Sequence, residues 1–261
     1  MINQLINISL DSFLPFAKDL IVPKNCHIKI QDINDIDPVL YRETLLKHGL
    51  MIIDVNFDDA DKYALRKIID SIGTPHIHDN SNIIEWTIRS GAGNIARSHG
   101  SEDFYFHTDC SYEYKTPDYF GLYVIEHDNN GGGINLFISS AVLIQTLSSK
   151  SRNILQTREY KIKVPPEFYQ GIDYIHAKLL DEDFNLRFRA DIIETSDIDH
   201  EQLSALTELI TVINTPQNCC VAKLTNNKIL LLCNKRFLHA RTKVLDTNRH
   251  LKRIRFDLKH H

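Results

Sequence analysis

The sequence predicts a mainly β domain, built as a barrel or sandwich that carries helices on one face. The middle of the chain consists of short aromatic and β-branched segments separated by clusters of glycine, asparagine, serine and proline. Such segments are typical of short strands joined by turns. Segments of helical periodicity interrupt the strands rather than alternate with them, which favours a barrel or sandwich over a regular βα alternation.

The composition is that of an ordinary soluble globular protein. The 261 residues are 43% hydrophobic and 25% charged, so we expect one well-buried domain, residues 1–261. The formal net charge is only −4, and no long Lys/Arg run occurs, which argues against nucleic acid and anionic membranes as partners. The chain lacks a long apolar stretch and an N-terminal signal pattern, so neither membrane spanning nor secretion is expected.

The cysteines indicate a reducing, cytoplasmic location. They number five, include the adjacent pair Cys219 and Cys220, and show no CxxC spacing, which argues against a disulfide framework and a structural zinc site. The terminal His260 and His261 are left out of the site reasoning, because they are either native or the remains of a purification tag.

The first ordered segment is predicted as helix, strand and helix. Residues 37–48 form a short helix that ends at Gly49, and the apolar run 50–55 suits a buried strand. Apolar residues spaced at i, i+3, i+4 and i+7 then predict a helix over 58–72, with Gly73 placed to stop it.

The remaining chain is predicted as strands with two interrupting helices. One helix is expected over 140–149, and another over 198–213 with Ser196 as its cap. Asn226 and Asn227 favour a tight hairpin turn between two of the strands. The predicted strands are 83–89, 104–109, 118–126, 134–139, 219–225, 228–234 and 251–258.

A candidate metal-binding pair follows one of these strands. His107, Thr108 and Asp109 form the one H-x-D/E sequence in the chain, and residues i and i+2 of a strand project to the same face. An imidazole and a carboxylate on one face, with a distant second imidazole, form the triad that binds non-haem iron(II) and leaves positions open for cosubstrate and oxygen. The motif alone is weak, because about one or two such matches are expected by chance.

The surrounding sequence resembles the clavaminate synthase-like and taurine dioxygenase-like oxygenases. The resemblance rests on HTDCSYEYKTPDYFGLYV, which begins at His107, and on KILLLCNKRFLHARTKVLDTNRHLKRIRF near the end of the chain. The earlier segment KHGLMIIDVNFDDADKYALRKIIDSIGTP also looks like the opening helix, strand and helix of that superfamily. The resemblance spans about 37–256.

The resemblance implies a fold, a ligand set and a cosubstrate site. The fold would be a double-stranded β-helix, or jelly roll, with flanking helices. His239 takes the position of the distal metal ligand, and Arg253, fourteen residues later, takes that of the arginine that pairs with the far carboxylate of 2-oxoglutarate. Asn135 replaces a family threonine that also contacts 2-oxoglutarate, and its amide retains a donor.

The implied activity is an oxidation that needs iron(II), 2-oxoglutarate and O2. Hydroxylation of an unactivated C–H bond is the expected outcome, on a free or carrier-tethered amino acid or an amino-acid-derived small molecule. The related halogenases lack the carboxylate ligand and bind chloride in its place. Asp109 is present in this chain, which argues against halogenation. The polar or aromatic residues predicted to contact substrate are Arg89, Ser98, Tyr112, Arg187, Arg189 and Arg241.

Two other functions remain open from the sequence. The first is a non-catalytic β-helix protein that binds a ligand or a metal and keeps the triad for structure. The second is a cysteine hydrolase that uses Cys219 or Cys220 with His239, which lacks a local nucleophile motif and predicts activity without iron. Purely structural roles are also open for some of these residues. Arg253 and Arg255 could each form a structural ion pair, and Arg255 is the second candidate for binding the 2-oxoglutarate carboxylate. The Gly-rich run 131–133 is predicted to be a plain loop rather than a phosphate-binding loop.

Overall fold

The computed structural model describes residues 8–77, 83–89 and 97–259. Within these ranges the strands are β1 (Lys18–Asp19), β2 (His27–Ile30), β3 (Leu50–Val55), β4 (Gly73–Pro75), β5 (Trp86–Arg89), β6 (Phe104–His107), β7 (Tyr119–Glu126), β8 (Asn135–Ser139), β9 (Tyr160–Lys163), β10 (Tyr174–Ala177), β11 (Cys220–Ala222), β12 (Lys228–Cys233), β13 (Phe237–Arg241) and β14 (His250–Leu258). The α-helices are α1 (Pro38–His48), α2 (Ala64–Ile72), α3 (Ser140–Thr146), α4 (Ser149–Thr157) and α5 (His200–Ile213). None of these helices is long and apolar enough to cross a membrane.

Most of the strands form two sheets. In the larger sheet the order is β2-β3-β12-β7-β14-β4, and β5 pairs with the beginning of β14. Only β2 runs parallel to its neighbour. The smaller sheet has the order β1-β11-β8-β13-β6, in which β13 lies between β8 and β6. This register places His239 opposite both His107 and Phe137.

Three apolar clusters hold these layers together. One cluster joins side chains of both sheets, among them Phe137 of β8 and Leu230 of β12, so it lies between them. A second packs α1 and α2 on the outer face of the larger sheet. There, Gly121 of β7 leaves room for α2, because a Cβ atom at this position would lie 2.6 Å from Leu65. The third packs α3, α4 and α5 against the smaller sheet.

The predicted opening is confirmed, except for the start of α2. Helix α1 begins after Asp37, whose carboxylate caps it, and ends at Gly49, which has the positive φ of 73° that favours glycine. Helix α2 begins at Ala64, not at residue 58 as predicted. The carboxylate of the buried Asp59 accepts hydrogen bonds from the backbone N–H groups of Tyr63 and Ala64, at 3.0 and 3.1 Å, and so holds the preceding residues in a turn.

Two helix predictions need correction at their ends. The helix predicted over 140–149 ends at Thr146, and a second helix that was not predicted, α4, follows the cap Ser148. Helix α5 is capped by Asp199 rather than by Ser196, because the Asp199 carboxylate accepts a hydrogen bond from the N–H of Gln202 at 2.8 Å. The Gln202 side chain completes a capping box.

The predicted hairpin around Asn226 and Asn227 is wrong. The strands on its two sides enter different sheets, since β11 pairs with β8 whereas β12 pairs with β3 and β7. The turn itself is present, and Asn227 has a φ of 60°. Its backbone N–H donates to Val124 and its carbonyl accepts from Val55, so the turn carries the chain from one sheet to the other.

Candidate active site

Three predicted ligands lie close together at the end of β6. The Nε2 atoms of His107 and His239 lie 3.7 and 3.6 Å from Oδ1 of Asp109, and one potential ligand atom from each residue lies within 4.8 Å of the others. These separations are longer than hydrogen bonds, and they suit donor atoms that share one ion. Strand β6 ends at His107, so Asp109 reaches the site from a turn and not by strand alternation.

The imidazole of His107 has the protonation that a metal ligand requires. Its Nδ1 lies 2.8 Å from the carbonyl oxygen of Tyr105 and donates to it, which leaves the lone pair on Nε2. That Nε2 is buried and has no hydrogen-bond partner among the described residues. Burial and the neighbouring His239 lower the pKa of His107 to about 3, so the ring is neutral at physiological pH. A backbone acceptor behind the ring is a common support for metal-bound histidine.

Two buried arginines keep Asp109 ionised. Arg253 Nη1 lies 3.2 Å from Oδ1, and Arg255 Nε lies 3.0 Å from Oδ2. Burial by itself would raise the pKa of Asp109, but Arg253 and Arg255 hold it well below its usual range. The third ligand is therefore an anion, and two cations lie beside it.

Asn234 holds the backbone of Asp109, and sequence reasoning gave it no role. Its Oδ1 accepts from the N–H of Asp109 at 2.7 Å, and its Nδ2 donates to the carbonyl oxygens of Asp109 and Pro117, both at 3.0 Å. The side chain is fully buried. Cys110, the residue after Asp109, has a φ of 55°. The three hydrogen bonds of Asn234 therefore stabilise a tight turn, and this turn determines the position of the Asp109 carboxylate. The sequence feature that could have identified Asn234 is its position shortly before the L-H-x-R segment that contains His239.

An apolar cavity extends from the triad between the sheets. His107 and His239 lie at one end, and Arg249 also lines it. Asn135 and Phe137, on the facing strand β8, lie opposite Arg241 and His239 respectively, and both line the same space. Its apolar walls come mainly from Phe120, Leu122, Phe137, Leu230 and Leu251. We call this space the apolar cavity.

Arg249 is the charged residue of this cavity that sequence reasoning missed. It is only 7% exposed, and its guanidinium forms no ion pair with the described residues. Burial and the nearby Arg241 lower its pKa to about 9. A Cβ atom at Gly133 would lie 2.8 Å from Arg249 Nε, which places the side chain beside the start of β8. Arg249 directly precedes β14, and no motif in the sequence marked it.

A second, polar cavity lies on the other side of His107. His107, Ser98, Phe104 and Arg253 line both cavities. The other residues that line the polar cavity are Arg97, Thr108, Asp109, Cys110, Tyr112, Glu167, Phe168, Arg189 and Arg255. The predicted metal-binding triad therefore lies between two cavities, one apolar and one polar.

The structure distributes the predicted substrate contacts unevenly. Ser98 lines both cavities, and Tyr112 and Arg189 line the polar one. Arg241 reaches the apolar cavity, but its guanidinium donates to the carbonyl oxygens of residues 100–102 and 242.

Two predicted contacts lie away from both cavities. Arg187 donates to the carbonyl oxygens of Ser111, Glu113 and Tyr114 and so holds the loop after the metal ligands. Arg89 contacts Nδ1 of His250 at 3.2 Å.

Solved structures share this fold. Asparagine oxygenase in complex with Fe(II), 2S,3S-3-hydroxyasparagine and succinate superposes with a TM-score of 0.70 at 15% identity, over 85% of this chain and 80% of that one. The non-heme iron oxygenase OrfP, in complex with Fe and alpha-ketoglutaric acid, gives 0.70 at 16% identity, over 85% and 83%. PvcB from Pseudomonas aeruginosa gives 0.66 at 15% identity, over 91% and 88%.

The sequence comparisons identify the family. No curated protein matches the chain significantly. The family model described as taurine catabolism dioxygenase TauD, TfdA family matches residues 15–255, which begins earlier than the span of about 37–256 inferred from the sequence. The predicted jelly-roll fold and the predicted oxygenase class are confirmed. The chain belongs to the taurine catabolism dioxygenase TauD, TfdA family.

Proposed function

We propose that this protein is an iron(II)- and 2-oxoglutarate-dependent oxygenase that hydroxylates a C–H bond of an amino acid or an amino-acid-like small molecule. The observation that carries the proposal is the buried triad with the unpartnered Nε2 of His107, placed between two cavities. Two neutral imidazoles and one carboxylate on one side of an ion are the ligands of non-haem iron(II) oxygenases.

The residues present fit the metal. His107, Asp109 and His239 would hold iron(II), which when bound supplies the site at which 2-oxoglutarate and O2 react. The chain's own part is to keep the His107 imidazole neutral and the Asp109 carboxylate ionised. The Tyr105 carbonyl orients His107, Asn234 fixes the backbone of Asp109, and the two arginines hold its charge.

We assign the apolar cavity to 2-oxoglutarate. The two carboxylates of 2-oxoglutarate need cations at two positions in the cavity, one beside the metal and one at the far end. Arg253 contacts the metal-ligand carboxylate at 3.2 Å and is therefore beside the metal, with its buried Nε still unpaired. The resemblance implies Arg253 for the far carboxylate, but Arg249 suits that role better, because it lies away from the triad and forms no salt bridge with the described residues.

Asn135 supports the same assignment. It lines the apolar cavity with Arg249, and its amide is able to donate to the far carboxylate, as predicted from its place in the sequence. The apolar walls exclude water, and a charge-assisted hydrogen bond between guanidinium and carboxylate is stronger in such surroundings than in water. The cavity would thus hold the cosubstrate in one orientation.

The substrate class is supported by the solved structures. Asparagine oxygenase was crystallised with 3-hydroxyasparagine, and OrfP with (3S)-hydroxy-L-Arg. We therefore propose a free or carrier-tethered amino acid as substrate, a single domain over 1–261, and the cytoplasm as location. The five free cysteines support the last point.

The test is succinate formation from 2-oxoglutarate by anaerobically iron-loaded protein after O2 is added. Wild type and Asp109→Ala are compared across a panel of amino acids, with product mass measured in parallel. The proposal predicts succinate that requires iron, Asp109 and one added compound, together with a mass increase of one oxygen atom in that compound. If iron and 2-oxoglutarate both bind but no compound in the panel stimulates succinate, the substrate class is wrong; if neither binds, the oxygenase assignment is wrong.

A further inference from the structure

We propose that the polar cavity binds its substrate as a free zwitterion, with the carboxylate at Arg97 and Arg189 and the ammonium group at Glu167. The inference rests on the proposed function, and it excludes a carrier-tethered thioester, which has no free carboxylate. Three features of the cavity support it: a surplus positive charge, an unpaired carboxylate, and the rigid attachment of both to the metal ligands.

The surplus positive charge belongs to Arg97 and Arg189. Both arginines pair with the one carboxylate of Asp191: Arg97 Nη1 lies 2.6 Å from Oδ2, and Arg189 Nε lies 3.0 Å from Oδ1. Among the described residues, one of the two positive charges is therefore not neutralised. The Arg189 side chain is 11% exposed, so a substrate carboxylate at this position would meet a partly desolvated guanidinium.

The negative charge belongs to Glu167. It lines the polar cavity, it is half-buried, and it forms no ion pair or hydrogen bond with the part of the chain that the structure describes. A second anionic group on the substrate would be repelled there, whereas an ammonium group would be attracted. The hydroxyl of the buried Tyr112, which lines the same cavity, also has no partner among the described residues.

Both charges are held in place relative to the triad. Arg189 forms an isolated antiparallel bridge with His107. Its guanidinium carbon lies 5.9 Å from the ring centroid of Phe104, and that ring stacks on His107 with centroids 3.8 Å apart. On the other side, Phe168, next to Glu167, stacks on Tyr112 with centroids 4.9 Å apart. The two ends of a bound zwitterion would therefore be fixed with respect to the metal ligands.

The experiment is anaerobic calorimetry on protein loaded with iron(II) and 2-oxoglutarate. The twenty standard L-amino acids are titrated first. The tightest binder is then compared with its α-amide, which lacks the carboxylate, and with its 2-hydroxy acid, which lacks the ammonium group. For wild type we expect the amino acid to bind at least about tenfold more tightly than either analogue.

The variants test the ammonium site and the carboxylate site separately. Glu167→Gln should remove the preference for the amino acid over its 2-hydroxy acid and keep the preference over its amide. Arg189→Met, or Arg97→Met where the former fails to fold, should remove the preference over the amide and keep the preference over the 2-hydroxy acid. Glu182→Gln, an exposed acid outside the cavity, is the matched control and should keep both preferences.

Two results would overturn the proposal. One is tighter binding of the amide than of the amino acid, and the other is the absence of amino-acid binding in protein that still binds 2-oxoglutarate. Failure to bind 2-oxoglutarate itself would instead contradict the proposed function.

Discussion

The two cavities that meet at His107 differ in how their arginines are paired. In the apolar cavity, whose walls are mainly aliphatic and aromatic, Arg249 forms no salt bridge with the described residues. In the polar cavity Arg97 and Arg189 share Asp191, and Glu167 stands nearby. A cation without a salt bridge in mainly apolar surroundings favours a dianion, whereas a partly neutralised group of charges favours a zwitterion. In the proposed assignment, this difference directs 2-oxoglutarate and the substrate carboxylate to separate cavities.

The largest effect is expected from removing the carboxylate between the cavities. Asp109→Ala deletes a metal ligand and also the anion that Arg253 and Arg255 contact. Succinate formation should fall to background, and the free energy of unfolding of the metal-free protein should fall by about 3–5 kcal/mol, because a buried charge loses its partner.

Urea denaturation in the presence of a chelator measures the free energy of unfolding of the metal-free Asp109→Ala variant. The control is Asp118→Ala, which removes a partly exposed pair with Lys235 and should cost no more than about 1 kcal/mol. Equal stabilities of the two variants would mean that Asp109 does not hold the arginines.

The next effect separates Arg249 from Arg241, another arginine that lines the apolar cavity. Arg249→Met should weaken 2-oxoglutarate binding by roughly 10- to 100-fold, because one charged hydrogen-bonding group contributes about 1.5–3 kcal/mol. Stability should change little, because the guanidinium has no salt bridge or side-chain hydrogen bond with the described residues to lose. Anaerobic calorimetry and thermal unfolding give the two readouts.

Arg241→Met is the matched comparison. Its guanidinium donates to four carbonyl oxygens, so this variant should unfold more easily, by about 2–3 kcal/mol, from the loss of charged hydrogen bonds. Loss of stability in Arg249→Met and unchanged stability in Arg241→Met would reverse the roles assigned to the two residues.

A similar or smaller effect concerns the backbone of the metal ligand. Asn234→Ala removes three hydrogen bonds around Asp109 and Pro117, and we expect iron(II) affinity to fall by about 10- to 100-fold, as for other groups that support metal ligands. Asn153→Ala, on the exposed face of α4, is the control. Anaerobic competition with a metal-binding dye measures the affinity, and unchanged affinity in Asn234→Ala would exclude a positioning role.

The smallest effect is expected at Asn135. Asn135→Val deletes the amide that faces the apolar cavity, and 2-oxoglutarate binding should weaken by about fivefold, since one neutral hydrogen bond contributes about 1 kcal/mol. Asn135→Thr restores a donor and should bind within about threefold of wild type. Calorimetry measures 2-oxoglutarate affinity in both variants. If Asn135→Thr loses as much affinity as Asn135→Val, Asn135 does not bind the cosubstrate.

Local patterns explain which parts of the fold were predictable. Helix α1 and strand β3 follow from their caps and from an apolar run, so their limits were predicted within a residue or two. The hairpin at Asn226 failed because a turn motif fixes the local backbone, whereas strand pairing depends on distant partners, here β8 and β7. The start of α2 was missed because Asp59 caps from five residues before Ala64.

The same distinction applies to the site. His107 and Asp109 lie two residues apart in the sequence and were identifiable by motif, and His239 by resemblance. Arg249 carries no motif, and its importance appears only when the fold places it in a cavity without a salt bridge to the described residues. Arg187 and Arg241 show the converse, because nothing in the sequence reveals that their guanidinium groups are used by backbone carbonyls.

The most direct test of the central assignment is an anaerobic titration of 2-oxoglutarate into wild type and Arg249→Met, each with and without iron(II). We predict binding that requires iron(II) in wild type, and weaker binding in the variant with unchanged affinity for iron(II). Binding of 2-oxoglutarate that is independent of iron(II), or equally tight in both proteins, would contradict the placement of the cosubstrate between the triad and Arg249.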